Sequence, residues 1–276
     1  MPKFTGASEK AMNDWLKRGD GQGKGPDYHP MLRVQDVPSR GLSRKFLGLK
    51  TARIHHTLSN LEYYTAINYE ADPQVLDFRE QFPLPREDTV EIAAQHDIEH
   101  PVYPRYRTPI VMTTDFVVTL NDAEKTSKAV AVKPFAEIDP ENPRAGRTWD
   151  KLFIEKVFWN KRGIDWQVQT ERDFSVTRAI NLSILRPTMV PPELSYLDDH
   201  MPDFVEQFRA NWKVYRTLNE IHEIVGGRLH LDLYECFCLF GRSVWQRQLP
   251  IDLTEELVGH NFPVTLKQEG DAYDQY

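Results

Sequence analysis

The sequence predicts an α/β protein with a mixed central sheet, followed by a mainly helical C-terminal region. Three observations carry this. Two strand-like segments, MTTDFVVTL at 112–120 and TSKAVAVKP at 126–134, lie close enough to pair. Around them the order from residue 59 to 170 reads helix, three strands, helix, strand. After about residue 174 the texture changes: Pro187, Pro191 and Pro192 mark a joint, and helical periodicity takes over. The expected division is therefore 1–174 and 175–276.

Taken in order, residues 8–18 form a short helix, with Ser8 as N-cap and Met12, Trp15 and Leu16 on one face. Gly21, Gly23 and Gly25 suggest a phosphate loop, but no strand precedes them and no helix follows, so a flexible loop is expected. SNLE at 59–62 matches a capping box and opens a helix that stops before Pro73. Residues 75–84 alternate as a strand, with Leu76, Phe78 and Phe82 expected to share a face. Residues 85–108 are polar and proline-bearing and read as an excursion. A helix is expected at 148–161, with Trp149, Leu152, Phe153 and Val157 on one side and Gly163 as its stop. IDWQVQT at 164–170 alternates as another strand.

In the C-terminal region, helices are expected around 202–216 and 218–225. Thr217 and Glu220 form a second capping box, closed by Gly226 and Gly227. LHLDLYECFCLFG and the residues after it suit a helix-turn-helix followed by a hairpin wing, although Asp232, Glu235 and Phe237 suit a protein contact or a core better than DNA. The tail KQEGDAYDQY is expected to be disordered.

Composition narrows the classes. No apolar run is long enough for a membrane span, and the first residues lack a signal-peptide core, so a cytoplasmic protein is expected. The two cysteines, Cys236 and Cys238, are one residue apart; they fit a reducing compartment and, lacking a second pair, no zinc site. The net charge of −7 disfavours tight binding to a polyanion by the chain alone. Its distribution is uneven: residues 1–60 carry +6 and residues 175–276 carry −6. Within the positive part, Arg40, Arg44, Lys45, Lys50 and Arg53 form either a solvated hairpin or a clamp for the DNA backbone, and the clamp is favoured because the run leads to Glu62. His55 and His56 are either ligands or packed on opposite sides of a strand.

The chemistry centres on Asp115 and Lys133, on neighbouring strands, with Glu62 upstream. Hydrolysis of a phosphodiester needs an activated water and stabilised charge, which Mg2+ supplies through hard oxygen ligands. Asp115 would bridge, Glu62 would complete a second metal position, the main-chain carbonyl of Val132 would add a ligand, and Lys133 would orient water or offset phosphate charge. From spacing alone, the pair serves equally as a strand-edge carboxylate with a bridging lysine, and Glu62 serves equally as a helix cap.

The stretches GQGKGPDYHPMLRVQDVPSRG, the LSNLE segment around Glu62, LDFREQFPL, MTTDF and AVKP together resemble the TnsA family, endonuclease subunits of TnsABC-type heteromeric transposases. The likeness covers nearly all of residues 10–172 and is weaker over 175–276. It implies a restriction-endonuclease-like N-terminal domain and a winged-helix, partner-binding C-terminal domain. It further implies cutting at the 5′ ends of the transposon with one or two Mg2+ ions (Mn2+ able to substitute). The implied partners are transposon-end DNA, the TnsB transposase and the TnsC ATPase regulator. By position, the metal-binding acids are Glu62 and Asp115 and the lysine is Lys133. The family usually has glutamine where this chain has Ala131; Glu155 is a candidate auxiliary acid, and Ala131→Gln is expected to leave or raise activity. The competing reading is a non-catalytic scaffold of the same fold. A nuclease working alone is disfavoured by the charge balance.

Overall fold

In the computed structural model, residues 17–36, 42–103, 107–190 and 192–267 are described. The expectations for residues 8–16, for Arg40 and for residues 268–276 therefore fall outside the described residues. The chain divides into two compact units, Met1–Phe174 and Ser175–Tyr276.

The first unit is built on a four-stranded sheet of order β3-β4-β5-β6. The strands are β3 (Val75–Pro83), β4 (Thr113–Leu120), β5 (Ser127–Val132) and β6 (Asp165–Gln169). β3, β4 and β5 run antiparallel, and β6 joins β5 in parallel, so the sheet is mixed. A separate hairpin, β1 (Arg44–Leu47) with β2 (Ile54–Thr57), precedes helix α1 (Asn60–Ala71). Helix α2 (Arg86–Gln95) occupies part of what the sequence presented as an excursion. A short helix α3 (Phe135–Ile138) and the long helix α4 (Ala145–Asn160) carry the chain from β5 to β6.

Each face of the sheet buries a different layer. On one, Phe78 and Phe116 pack with Tyr69 of α1. On the other, Val117 and Ala129 pack with Ile154, Phe158 and Trp159 of α4. β3 contributes to both, which unbroken alternation would forbid. A register irregularity between Val75 and Asp77 leaves Leu76 exposed. Gln81 then adopts a left-handed backbone, φ 49°, so Phe82 leaves the Phe78 side and lies tilted against Trp159, ring centroids 5.6 Å apart. The expected common face of Leu76, Phe78 and Phe82 is thus broken twice.

Helix α4 is likewise rotated from expectation. Leu152, Ile154, Glu155, Phe158 and Trp159 are buried, while Trp149 and Phe153 lie at its exposed rim. The glycine loop is packed rather than flexible. Gly21, at φ 81°, lies so close to Pro83 that a Cβ there would clash, and the Gly25 amide donates to Asp77.

The second unit contains α5 (Val176–Leu185), α6 (Met201–Asn211), α7 (Leu218–Leu229) and α8 (Leu233–Trp245). Reciprocal capping boxes start α7 at Thr217/Glu220 and α8 at Asp232/Glu235. α7 runs past Gly226–Gly227 and ends at His230, which is left-handed. After α8, single β-bridges join Ile251 to Leu266 and Thr217 to Pro263. His222 is buried among Phe204, Phe208 and Phe240, with neither ring nitrogen hydrogen-bonded. Cys236 and Cys238 are buried free thiols. Among the described residues, no helix is long and apolar enough to cross a membrane.

Candidate active site

Three backbone features bring distant residues to one place. Ser59 caps α1 by accepting the Glu62 amide proton, which sets Glu62 in the first turn. β4 presents Asp115 opposite Gln81 of β3, between the Glu80–Phe116 and Phe82–Thr114 pairs. The end of β5 places Val132 and Lys133 beside Asp115.

The contacts are specific. Asp115 Oδ2 accepts from the Val132 amide at 2.7 Å and from Lys133 Nζ at 2.7 Å. Lys133 Nζ also donates to the Val132 carbonyl at 2.9 Å. Glu62 closes its helix start as the sequence suggested, accepting from the Leu58 amide at 2.9 Å and from Ser59 Oγ at 3.0 Å. Its Oε2 also accepts from Gln81 Nε2 at 3.2 Å, and the same nitrogen lies 3.5 Å from Asp115 Oδ1. Glu62 therefore caps a helix and shares a bridging side chain with Asp115.

Glu155 faces the same centre from α4, held by Trp166 Nε1 at 3.1 Å. Trp159 Nε1 fixes Thr114 behind it at 2.7 Å. A cleft of about 390 Å³ opens onto Asp115, Lys133 and Glu155.

Electrostatics follow from crowding three acids into a half-dry place with one ammonium. Burial pushes Glu62 up to about 7, with the Asp115 charge adding to it and the Leu58 amide and Lys133 opposing. Glu155 rises to about 7 for the same reasons, burial first and Asp115 second. Burial works against the Lys133 charge, yet Asp115, then Glu155 and Glu62, more than offset it and hold the ammonium above its usual range.

The donor set suits a hard divalent cation: carboxylate oxygens of Glu62 and Asp115 and the Val132 carbonyl, with room for water at the cleft. Its two gaps, Glu62 to Asp115 and Asp115 to Val132, are each spanned by an N–H donor, from Gln81 and Lys133 respectively. Among the described residues, no group of three or more His, Cys, Asp or Glu forms a metal cluster. Any ion here would therefore rely on main-chain or amide oxygen and on water.

Other sequence candidates sit elsewhere. Arg53 is buried against Glu80, donating to it at 2.8 Å and to the Phe78 carbonyl at 2.7 Å. Lys50 donates to the Asp72 carbonyl and, at 2.6 Å, to the Val75 carbonyl. Both cations stitch the hairpin to the sheet, which removes them from a DNA-facing surface. Arg44, stacked on Tyr63 at 4.3 Å, and exposed Lys45 remain on the hairpin next to α1. His55 is packed between Phe46 and Phe78 and bonded to Glu80 and Thr51, so it is not free to ligate. His56 accepts from the Val34 amide. Ala131 is fully buried beside Leu152, Trp166 and Val168, so a glutamine there would have to enter an apolar cluster. Sequence reasoning passed over Gln81, because alternation placed it among the polar residues of an ordinary strand.

Comparison with known proteins finds likeness over much of this unit. Residues 72–171 match the family described as TnsA-like endonuclease N terminal, a range that includes Asp115 and Lys133 and begins after Glu62. The Escherichia coli transposon Tn7 transposition protein TnsA is 41% identical over 160 residues, covering 58% of this chain and 56% of that protein. The chain thus spans little more than half the length of that relative. Over residues 72–171 the chain thus resembles the TnsA-like endonuclease N-terminal family, and over 160 residues it resembles Tn7 TnsA.

Proposed function

We propose that the chain is the endonuclease subunit of a Tn7-like heteromeric transposase and cuts transposon DNA at the 5′ ends with a divalent metal, Mg2+ or Mn2+. The observation that carries this reading is the convergence of Glu62, Asp115 and Lys133, separated in sequence, around Asp115, which lines the cleft with Lys133. Residues 1–174 would form a restriction-endonuclease-like nuclease domain. Residues 175–276 would form a winged-helix-like domain that binds partners, its wing based on the Ile251–Leu266 bridge. TnsB would bring end-specific DNA binding, which a chain of net charge −7 needs, and TnsC would regulate assembly.

In this mechanism Glu62, Asp115 and the Val132 carbonyl would hold the cation, which would supply an activated water and offset phosphate charge. Lys133, which donates to that carbonyl, would have to release it. Freed, its ammonium faces the cleft, where it orients water or pairs with the phosphate. Glu155, protonated part of the time near neutral pH, can hold or release a proton beside Lys133. Arg44 and Lys45 would grip the DNA backbone.

The test is reconstitution with TnsB, TnsC and transposon-end DNA, comparing 5′-end nicking by wild type and Asp115→Ala. Nicking should fall by several orders of magnitude, and equal nicking would remove the assignment. The scaffold reading draws support from Ala131, which offers no side-chain ligand. It predicts no Mn2+ binding even in the assembled complex, whereas the nuclease reading predicts binding that Asp115→Asn abolishes.

A further inference from the structure

We propose that Gln81 is a ligand of the metal site: its carboxamide fills the gap between Glu62 and Asp115 and turns its oxygen onto a divalent cation bound there. This rests on the metal-dependent reading above and adds a residue to it. The first argument is conformational. A left-handed backbone at a residue other than glycine, asparagine or aspartate costs on the order of 1 kcal/mol. Gln81 holds φ 49° within β3 while 3% exposed. Its neighbours enforce it: Glu80 is fixed by Arg53, His55 and the His56 amide, and the Gln81 carbonyl accepts from Met31. The result is a side chain aimed between two acids instead of into either core layer.

The second argument is the chemistry of the amide. Nε2 is 3.2 Å from Glu62 and 3.5 Å from Asp115, while Oε1 accepts from Thr113 Oγ1 at 3.2 Å. The amide protons thus stand where a cation shared by the two carboxylates would stand. A half-turn of the carboxamide brings Oε1 inward and Nε2 towards Thr113. A hydroxyl both donates and accepts, so Thr113 keeps its hydrogen bond with the roles exchanged. The flip keeps the Thr113 hydrogen bond and frees Oε1 for the cation. It supplies a third side-chain oxygen where, among the described residues, no third acid completes a cluster.

The test is Mn2+ binding to the full chain, by calorimetry and by loss of the free-ion electron paramagnetic resonance signal, without DNA. Gln81→Asn tolerates the left-handed backbone but is one methylene too short to reach. It should bind Mn2+ about tenfold more weakly or worse, with the urea midpoint in chelator near that of wild type. Gln81→Glu reaches and adds charge, so it should bind at least as tightly as wild type. Equal Mn2+ affinity of Gln81→Asn and wild type overturns the proposal, as does a Gln81→Glu protein that binds more weakly than wild type. Should Gln81→Asn fail to fold, the Gln81→Glu affinity decides in the same way. Asp115→Asn separates the layers. Binding lost there but untouched by Gln81→Asn rejects the glutamine alone; Mn2+ binding indifferent to Asp115→Asn rejects the metal site and the glutamine with it.

Discussion

Glu62→Gln should make the metal-free protein more stable while removing its ability to hold a cation. Glu62 moves from an ordinary 4.5 to about 7 on folding, mainly through burial. For an acid raised on folding, the folded state binds more protons between those two values. Stability is therefore fully present below about 4.5 and is lost as pH rises through 7. At 1.36 kcal/mol per pH unit, the ionised side chain costs about 3 kcal/mol at pH 8 and under about 1 kcal/mol at pH 5. Glutamine avoids that cost. It can still accept from the Leu58 amide, and it gives up about 1 kcal/mol of charge-assisted hydrogen bonding at any pH where Glu62 is ionised. The net expectation is a gain of about 2 kcal/mol at pH 8 that nearly vanishes at pH 5. Glu155, which also titrates near 7, is present in both proteins and largely cancels. The assay is urea unfolding in chelator at both pH values, read by hydrogen exchange of β4 and β5 peptides so that only the first unit is scored. A wild-type-to-variant difference that does not change with pH would refute the reasoning. Adding Mn2+ should then raise the stability of wild type and leave the variant where it was.

Arg53→Met should destabilise the first unit by about 3–5 kcal/mol, because Glu80 is left charged and buried; chemical denaturation measures this, and a loss below about 1 kcal/mol would contradict it. In the second unit, burial pushes His222 down to about 3. A base depressed on folding makes stability fall as pH drops below its unfolded value of 6.5. His222→Leu should abolish that acid sensitivity in α7 and α8 hydrogen exchange, and an unchanged acid profile would show that another group is responsible. Replacing Arg44 and Lys45 together by alanine should lower the salt slope of DNA binding by about two without changing Mn2+ affinity. An unchanged slope would place the backbone grip elsewhere.

The sheet was legible because its strands carry alternation and its helices carry caps. Ser59, Thr217 and the stop before Pro73 are all where local chemistry puts them. What the sequence hid has a common cause: long-range pairing decided it. Nothing local says that Arg53 and Lys50 turn inwards, since their partners are a buried Glu80 and two carbonyls far along the chain. Position 81 looks like one more polar residue until Met31 and the anchored Glu80 set its backbone. Glu62 was readable as a helix cap, whereas the contact its Oε2 makes with Gln81 of β3 depends on pairing far along the chain. Helix α2 was obscured by a polar sequence whose buried apolar residues, Ile92 and Ala93, only find a surface once α4 is present.

Glu80 has a consequence for how variants of this protein are scored. Its carboxylate, fully enclosed, is gripped by Arg53, His55 and the His56 amide one residue before the turn that aims Gln81. A lesion in that buried anchor would slacken the strand next door, and the defect would surface as loss of the proposed cleavage in a molecule that still looks folded by circular dichroism. A mutational screen that scores activity alone would then count Arg53 and His55 among the chemical groups, when their task is to hold the scaffold under those groups still.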